Sequence, residues 1–208
     1  MKQLIILITL LSNFLFAYEF KLNEKDYKTI NNSNKKSFIE KRLQKYNELK
    51  VKIENYDLIR KLSHTNTFIN KILPQFDNKS SGIDDYWATP KEFLINGHGD
   101  CEDYAIAKYF SLVKLGVPED KLRITYVTYR GKGNFDQAHM VLTYYHTPTA
   151  TPVVLDNIDK TLQLATNRDD LTPIYSFNAL GLWQAKNKGE AKIGDNNLKS
   201  WKDLMSRF

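Results

Sequence analysis

Gly97-His98-Gly99-Asp100-Cys101-Glu102-Asp103-Tyr104 is the stretch on which the fold of this chain turns. It carries the single cysteine, set behind a glycine-rich turn and ahead of Ala105, Tyr109, Leu112 and Val113, which recur at helical spacing. That spacing predicts a helix capped by Asp100, with Cys101 in its first turn, ending at Gly116 before Pro118. Unpaired backbone N–H groups and the positive end of a helix dipole favour a thiolate at such a place. The same N–H groups can hold the oxyanion of a tetrahedral intermediate. Asp100, Glu102 and Asp103 act in the opposite direction, raising the thiol pKa unless a cation or hydrogen bonds neutralise them. The stretch therefore predicts a nucleophile with something positive beside it.

A thiolate nucleophile needs a base, and the base needs an orienting group. His139 opens the strand-like run Ala138-His139-Met140-Val141-Leu142, and Asp156 closes the next one, Val153–Leu155. If those runs pair as antiparallel neighbours, Asp156 falls beside His139. His98 stands three residues before the cysteine and is better placed to shape the turn. His64 and His146 fall between elements or at a strand end and read as surface residues.

Upstream, Thr89-Pro90-Lys91-Glu92 has the form of a helix start, with Thr as cap, Pro in the first turn and Glu three residues after the cap; this short helix ends at Gly97. From Ser37 to Leu62, apolar residues Ile39, Leu43, Tyr46, Leu49, Ile53 and Tyr56 recur every three or four positions, predicting one long amphipathic helix. Asn66–Leu73 reads as a short helix stopped by Pro74, and Asp77–Tyr86 as a polar loop. Downstream, Leu122–Tyr129 alternates as a strand, Arg130–Gln137 reads as a loop, and Ala138–Tyr145 and Val153–Leu155 are strand-like. Helices followed by an antiparallel meander make an α+β fold. A helix-borne Cys followed by His and Asp on adjacent strands is the order of a papain-like or transglutaminase-like core, with the N-terminal helices packed on an antiparallel sheet.

Composition agrees with one globular domain. The chain has 208 residues, 42% of them hydrophobic, enough for a sizeable core and too many for a disordered segment. One cysteine excludes an internal disulfide framework and any multi-thiolate metal site. The net charge of +6 does not imply a nucleic-acid partner, because Glu40, Glu48 and Glu54 interrupt the lysine-rich helix face. Met1–Ala17 joins one lysine to an uncharged apolar run, the shape of a secretory signal and too short for a membrane span of roughly 20 residues. Residues 18–208 would then be a single exported domain with a helical extension.

Five segments carry a resemblance. Tyr86-Trp87-Ala88-Thr89-Pro90, Gly99–Tyr104, His139–Leu142, Val154-Leu155-Asp156-Asn157 and Asp170–Asn178 are similar, in this order, to the bacterial transglutaminase-like cysteine proteinases of the LapG type. The resemblance implies a periplasmic protease that clips the N-terminal region of a large surface adhesin, in a small-residue di-alanine context, and so releases biofilm cells. It also implies control by an inner-membrane cyclic-di-GMP receptor of the LapD type. It places the nucleophile on Cys101, the base on His139 and the orienting acid on Asp156. It implies Ca²⁺ beside the nucleophile, held by Asp100 and Glu102; Asp84 and Asp85, in the loop before Trp87, are candidates for further ligands. Trp87 is a candidate oxyanion donor through its indole N–H, or a packing residue. Two alternatives stand: a transglutaminase or amidase of the same fold, in which an amine replaces water, and a non-catalytic binding module.

Overall fold

The computed structural model describes residues 21–75, 86–131, 133, 135–186 and 189–208. The signal-like segment Met1–Ala17 and the loop acids Asp84 and Asp85 lie outside the described residues. The described residues begin with three helices: α1 (Glu24–Asn32), α2 (Lys36–Ile53) and α3 (Leu58–Ile69). The single helix expected over 37–62 is thus broken in two. Asp57 breaks it: in an extended conformation, its carboxylate accepts from the Arg60 amide and caps a new helix. The short helix expected at 66–73 is partly the end of α3. Leu73–Pro74 is instead an extended pair, β1, running parallel to β2 (His98–Gly99), and the Gln75 amide donates to the Gly99 carbonyl. This strap holds the glycine-rich turn from outside.

Helix α4 (Pro90–Asn96) starts with the expected capping box between Thr89 and Glu92 and ends at Gly97. Helix α5 (Cys101–Lys114) follows at once. The remaining strands are β3 (Leu122–Arg130), β4 (Asp136–Tyr144), β5 (Val153–Leu155), β6 (Gln163–Leu164), β7 (Leu171–Asn178), β8 (Gly181–Ala185) and β9 (Glu190–Gly194). They form one antiparallel sheet of order β6-β5-β4-β3-β7-β8-β9. Strand β4 begins two residues before the strand start expected at Ala138, because Asp136 and Gln137 pair with Arg130 and Tyr129 across the hairpin. A last helix, α6 (Lys199–Met205), inserts Trp201 and Leu204 into the core.

Helix α5 lies across this sheet. Ile106, Tyr109 and Leu112 pack with Leu122 and Ile124 of β3, Met140 and Leu142 of β4, Leu155 and Phe177. Each fully buried aliphatic side chain contributes about 1.5–3 kcal/mol, so this interface fixes the helix on the strands. Because side chains alternate along β4, Met140 and Leu142 face α5, whereas Val141 packs with Val127 and Val154 in a separate cluster. The architecture is the expected α+β class. Among the described residues, no helix is long and apolar enough to cross a membrane.

Candidate active site

The turn before Cys101 is shaped by two glycines. Gly97 has a φ of +75°, the left-handed C-cap of α4, where a Cβ would also meet the Arg42 guanidinium. That guanidinium is fixed by its 2.6 Å bond to the Leu94 carbonyl. A Cβ on Gly99 would lie 2.5 Å from Asp103 Oδ2 and 2.8 Å from Phe93. The buried Asp103 carboxylate accepts from the Ala88 amide at 2.8 Å, which ties the Trp87 segment to the first turn of α5. Asp100 occupies the N-cap position, but its side chain makes no capping bond. It interacts instead with the Glu102 carboxyl, a correction to the capping role expected from sequence.

Cys101 is half-buried at the start of α5, and its thiol donates to Glu102 Oε2 at 3.1 Å. The backbone amide of Met140 points at the sulfur. Burial pushes the thiol pKa up strongly, the adjoining Glu102 carboxylate adds to this, and the Met140 amide partly opposes it. Burial also raises the pKa of Glu102, against the favourable effect of the thiol, its own amide and Asp100. Burial and the neighbouring carboxylate thus favour the protonated form of this thiol, which lies within hydrogen-bond distance of Glu102.

Strand β5 ends at Leu155, so the edge of β4 is uncovered beyond Leu142, and the N-terminus of α5 sits on that edge. His139, 4% exposed, lies there beside Tyr129. Its Nε2 is 2.8 Å from Oδ1 of the fully buried Asp156. That oxygen also accepts from the Ile158 amide at 3.0 Å, and Oδ2 accepts from Arg168 Nη2 at 2.8 Å. Burial alone would raise the Asp156 pKa. The bond and charge of His139, the Ile158 amide and Arg168 outweigh it and hold the carboxyl well below the usual carboxylate range. With Nε2 committed to Asp156, Nδ1 is the ring nitrogen that remains. The structure thus brings His139 and Asp156 into direct contact and sets Cys101 against Met140, the residue next to His139. His98 lies in β2, paired with Leu73.

Arg168 was not legible as a site residue. It is 3% exposed and bridges Asp156 to Asp170. An Arg in a loop, Arg168-Asp169-Asp170, carries no sequence signal that it folds back to a distant acid. Trp87 is buried, its ring stacked on Phe177 at 5.4 Å. Part of it lines a cleft of about 510 Å³ with Tyr126, Met140, Tyr175, Leu198, Lys199 and Ser200. Met140, whose amide points at the Cys101 sulfur, is one of its lining residues, and the parallel Tyr126–Tyr175 stack forms one wall.

The donor set for a cation was tested on Asp100 and Glu102. Among the described residues, no group of three or more Asp, Glu, His or Cys converges. Two interacting half-buried carboxyl groups with hard oxygen donors do fit part of a Ca²⁺ shell, which backbone carbonyls and water commonly complete.

A family model for the bacterial transglutaminase-like cysteine proteinases matches residues 27–177. The chain belongs to that family. As a bacterial transglutaminase-like cysteine proteinase, it is an enzyme of the thiol-protease class rather than a binding module. Among solved structures it is similar to LapG of Legionella pneumophila. EGTA-treated LapG is 42% identical with a TM-score of 0.73, over 81% of this chain and 89% of that one. Calcium-bound LapG is 43% identical with a TM-score of 0.71, over 80% of this chain and 89% of that one. No protein of curated function matches the chain.

Proposed function

We propose that this proteinase is a periplasmic endopeptidase that cuts the N-terminal region of a large surface adhesin, and that Cys101, His139 and Asp156 are its catalytic triad. The observation that carries the triad is the His139–Asp156 pair, buried at the sheet edge on which the thiol-bearing helix rests. In the reaction, His139 Nδ1 takes the thiol proton as the sulfur attacks the scissile carbonyl carbon. The carbonyl oxygen becomes an oxyanion, held by backbone N–H groups at the start of α5 and, in this reading, by the indole N–H of Trp87. The imidazolium returns its proton to the leaving amine as the C–N bond breaks, leaving a thioester. Water, deprotonated by the same imidazole, then hydrolyses the thioester and frees the thiol. Asp156 stays ionised throughout and holds Nε2–H, so that Nδ1 faces the thiol.

Asp100 and Glu102 are proposed to hold Ca²⁺, with Asp84 and Asp85 as further ligands; bound there, the ion supplies positive charge that favours the thiolate. With Glu102 engaged as a ligand, its carboxylate no longer competes for the thiol proton. Support comes from the calcium-bound LapG neighbour and from the paired carboxyls beside the sulfur. Export by Met1–Ala17, release of biofilm cells and sequestration by a LapD-type cyclic-di-GMP receptor complete the reading. The test is incubation of purified wild-type and Cys101→Ala proteins with the N-terminal fragment of a large surface adhesin of the same organism, in calcium. Cleavage by wild type alone supports the reading; equal cleavage by Cys101→Ala refutes the nucleophile.

A further inference from the structure

A lysine lies in the core beneath the catalytic acid. Lys108 projects from α5 about two turns beyond Cys101, on the same side of the helix, and is 1% exposed. Among the described residues, its one hydrogen bond is to the Leu155 carbonyl, at 3.5 Å, long for such a bond. Its Nζ also lies 5.9 Å from the Tyr104 ring centroid. The charges that act on it are Asp156, at the end of β5, and Lys160, in the turn beyond. Burial pushes the amine down to about 7, with Asp156 opposing that shift and Lys160 adding to it.

A buried ammonium is a poor way to fill core volume. A methionine would occupy similar space without desolvating a charge. What the lysine adds is directed at Asp156. Leu155, whose carbonyl it approaches, is the residue before the acid, and Asn70 Nδ2 donates to the Asp156 carbonyl itself at 2.7 Å. The acid's backbone is therefore gripped from α5 and α3, while its carboxylate is gripped by His139, Ile158 and Arg168. Of these contacts, that of Lys108 comes from the helix that carries the thiol.

We propose that Lys108 is a positioning residue for the triad: its amine fixes the strand end bearing Asp156 relative to the helix bearing Cys101. The inference rests on reading Asp156 as the acid of the triad. It predicts that losing the amine slackens the His139–Asp156 pair without unfolding the protein.

The test uses readouts that need no knowledge of the substrate. Wild type, Lys108→Met, Lys108→Ala and Asp156→Asn are compared in excess calcium at neutral pH. The measurements are the second-order rate of Cys101 alkylation by iodoacetamide, the NMR resonance of the His139 Nε2 proton, and the melting temperature. Lys108→Met should melt no lower than wild type, yet alkylate roughly ten- to a hundredfold more slowly, the scale of a small misplacement in a catalytic constellation. Its Nε2 proton resonance should broaden or shift. Ethylamine should restore part of the rate to Lys108→Ala, and ethanol should not. An alkylation rate within about twofold of wild type and an unmoved resonance in Lys108→Met, or in Lys108→Ala should the Met variant not fold, overturn the inference. Equal rescue by ethylamine and ethanol also overturns it. If Asp156→Asn leaves the rate unchanged, the triad reading has failed; if it slows the rate and Lys108→Met does not, only the role of Lys108 has.

Discussion

Arg168→Met removes the cation paired with the buried Asp156 carboxylate while keeping a side chain of similar reach. The Arg168 side chain is 3% exposed and that of Asp156 is 0% exposed, so their 2.8 Å pair is fully desolvated. Removing one partner of such a pair costs about 3–5 kcal/mol. Asp156 keeps the His139 and Ile158 donors, which puts the expected loss near the lower end, about 3 kcal/mol. The other arm of the bridge adds little: Asp170 is 34% exposed, and Asp170→Asn should cost at most about 1 kcal/mol. The sign with pH follows from the depressed pKa of Asp156. Stability from a depressed carboxyl is fully present above the unfolded value, about 3.9, and is lost as pH falls toward the folded value. Wild type should therefore lose this contribution by up to about 1.4 kcal/mol per pH unit below about 4. In Arg168→Met the folded pKa moves back up, that slope shrinks, and the gap between the two proteins narrows on acidification. Urea unfolding in excess calcium, at neutral pH and at intervals below 4, measures both quantities; calcium is held constant because ligand binding shifts apparent stability. A neutral-pH difference under about 0.5 kcal/mol, or a gap that widens below pH 4, would refute the assignment of Arg168 as the buried counter-charge.

Cys101→Ala should abolish cleavage and leave the melting temperature unchanged or higher, since a desolvated thiol beside a carboxylate is removed; a lowered melting temperature would show the thiol to be structural. Chelation should slow Cys101 alkylation and added calcium should restore it; a rate indifferent to chelator counts against the Asp100–Glu102 site. Asp100→Ala should weaken calcium binding by calorimetry and leave metal-free stability within about 0.5 kcal/mol of wild type, because its side chain caps nothing; a loss near the usual cap value of about 1 kcal/mol would restore the capping role. Gly99→Ala forces a Cβ to 2.5 Å from Asp103 Oδ2 and should cost about 1–3 kcal/mol by thermal or urea unfolding while slowing alkylation.

The local grammar of this chain was legible as sequence. Thr89, Pro90 and Glu92 specify the start of α4, and Gly97 its end, because each acts on backbone groups within four residues. Cys101 at the head of α5 followed from Gly97–Tyr104 alone. The pairing of His139 with Asp156 followed from two adjacent antiparallel strands. The breaks at Asp57 and at Leu73 were misread because apolar periodicity continues across a cap and does not mark it. Strands β7 to β9 and helix α6 went unread, since strand β7 is stabilised mainly by pairing with β3, remote in sequence.

Two features were decided only by the tertiary structure, and both concern charge. The Asp100 carboxylate turns to Glu102 instead of to the helix amides, so that two acids and a thiol meet at one point. Arg168 and Lys108 converge on the acid at 156 from a loop and from a helix. Sequence determines which residues can cap, turn or alternate, because those preferences are short-ranged. Which cation reaches a buried carboxylate depends on how the loop and helix pack around it, and the strength of that interaction depends on the water excluded when they do.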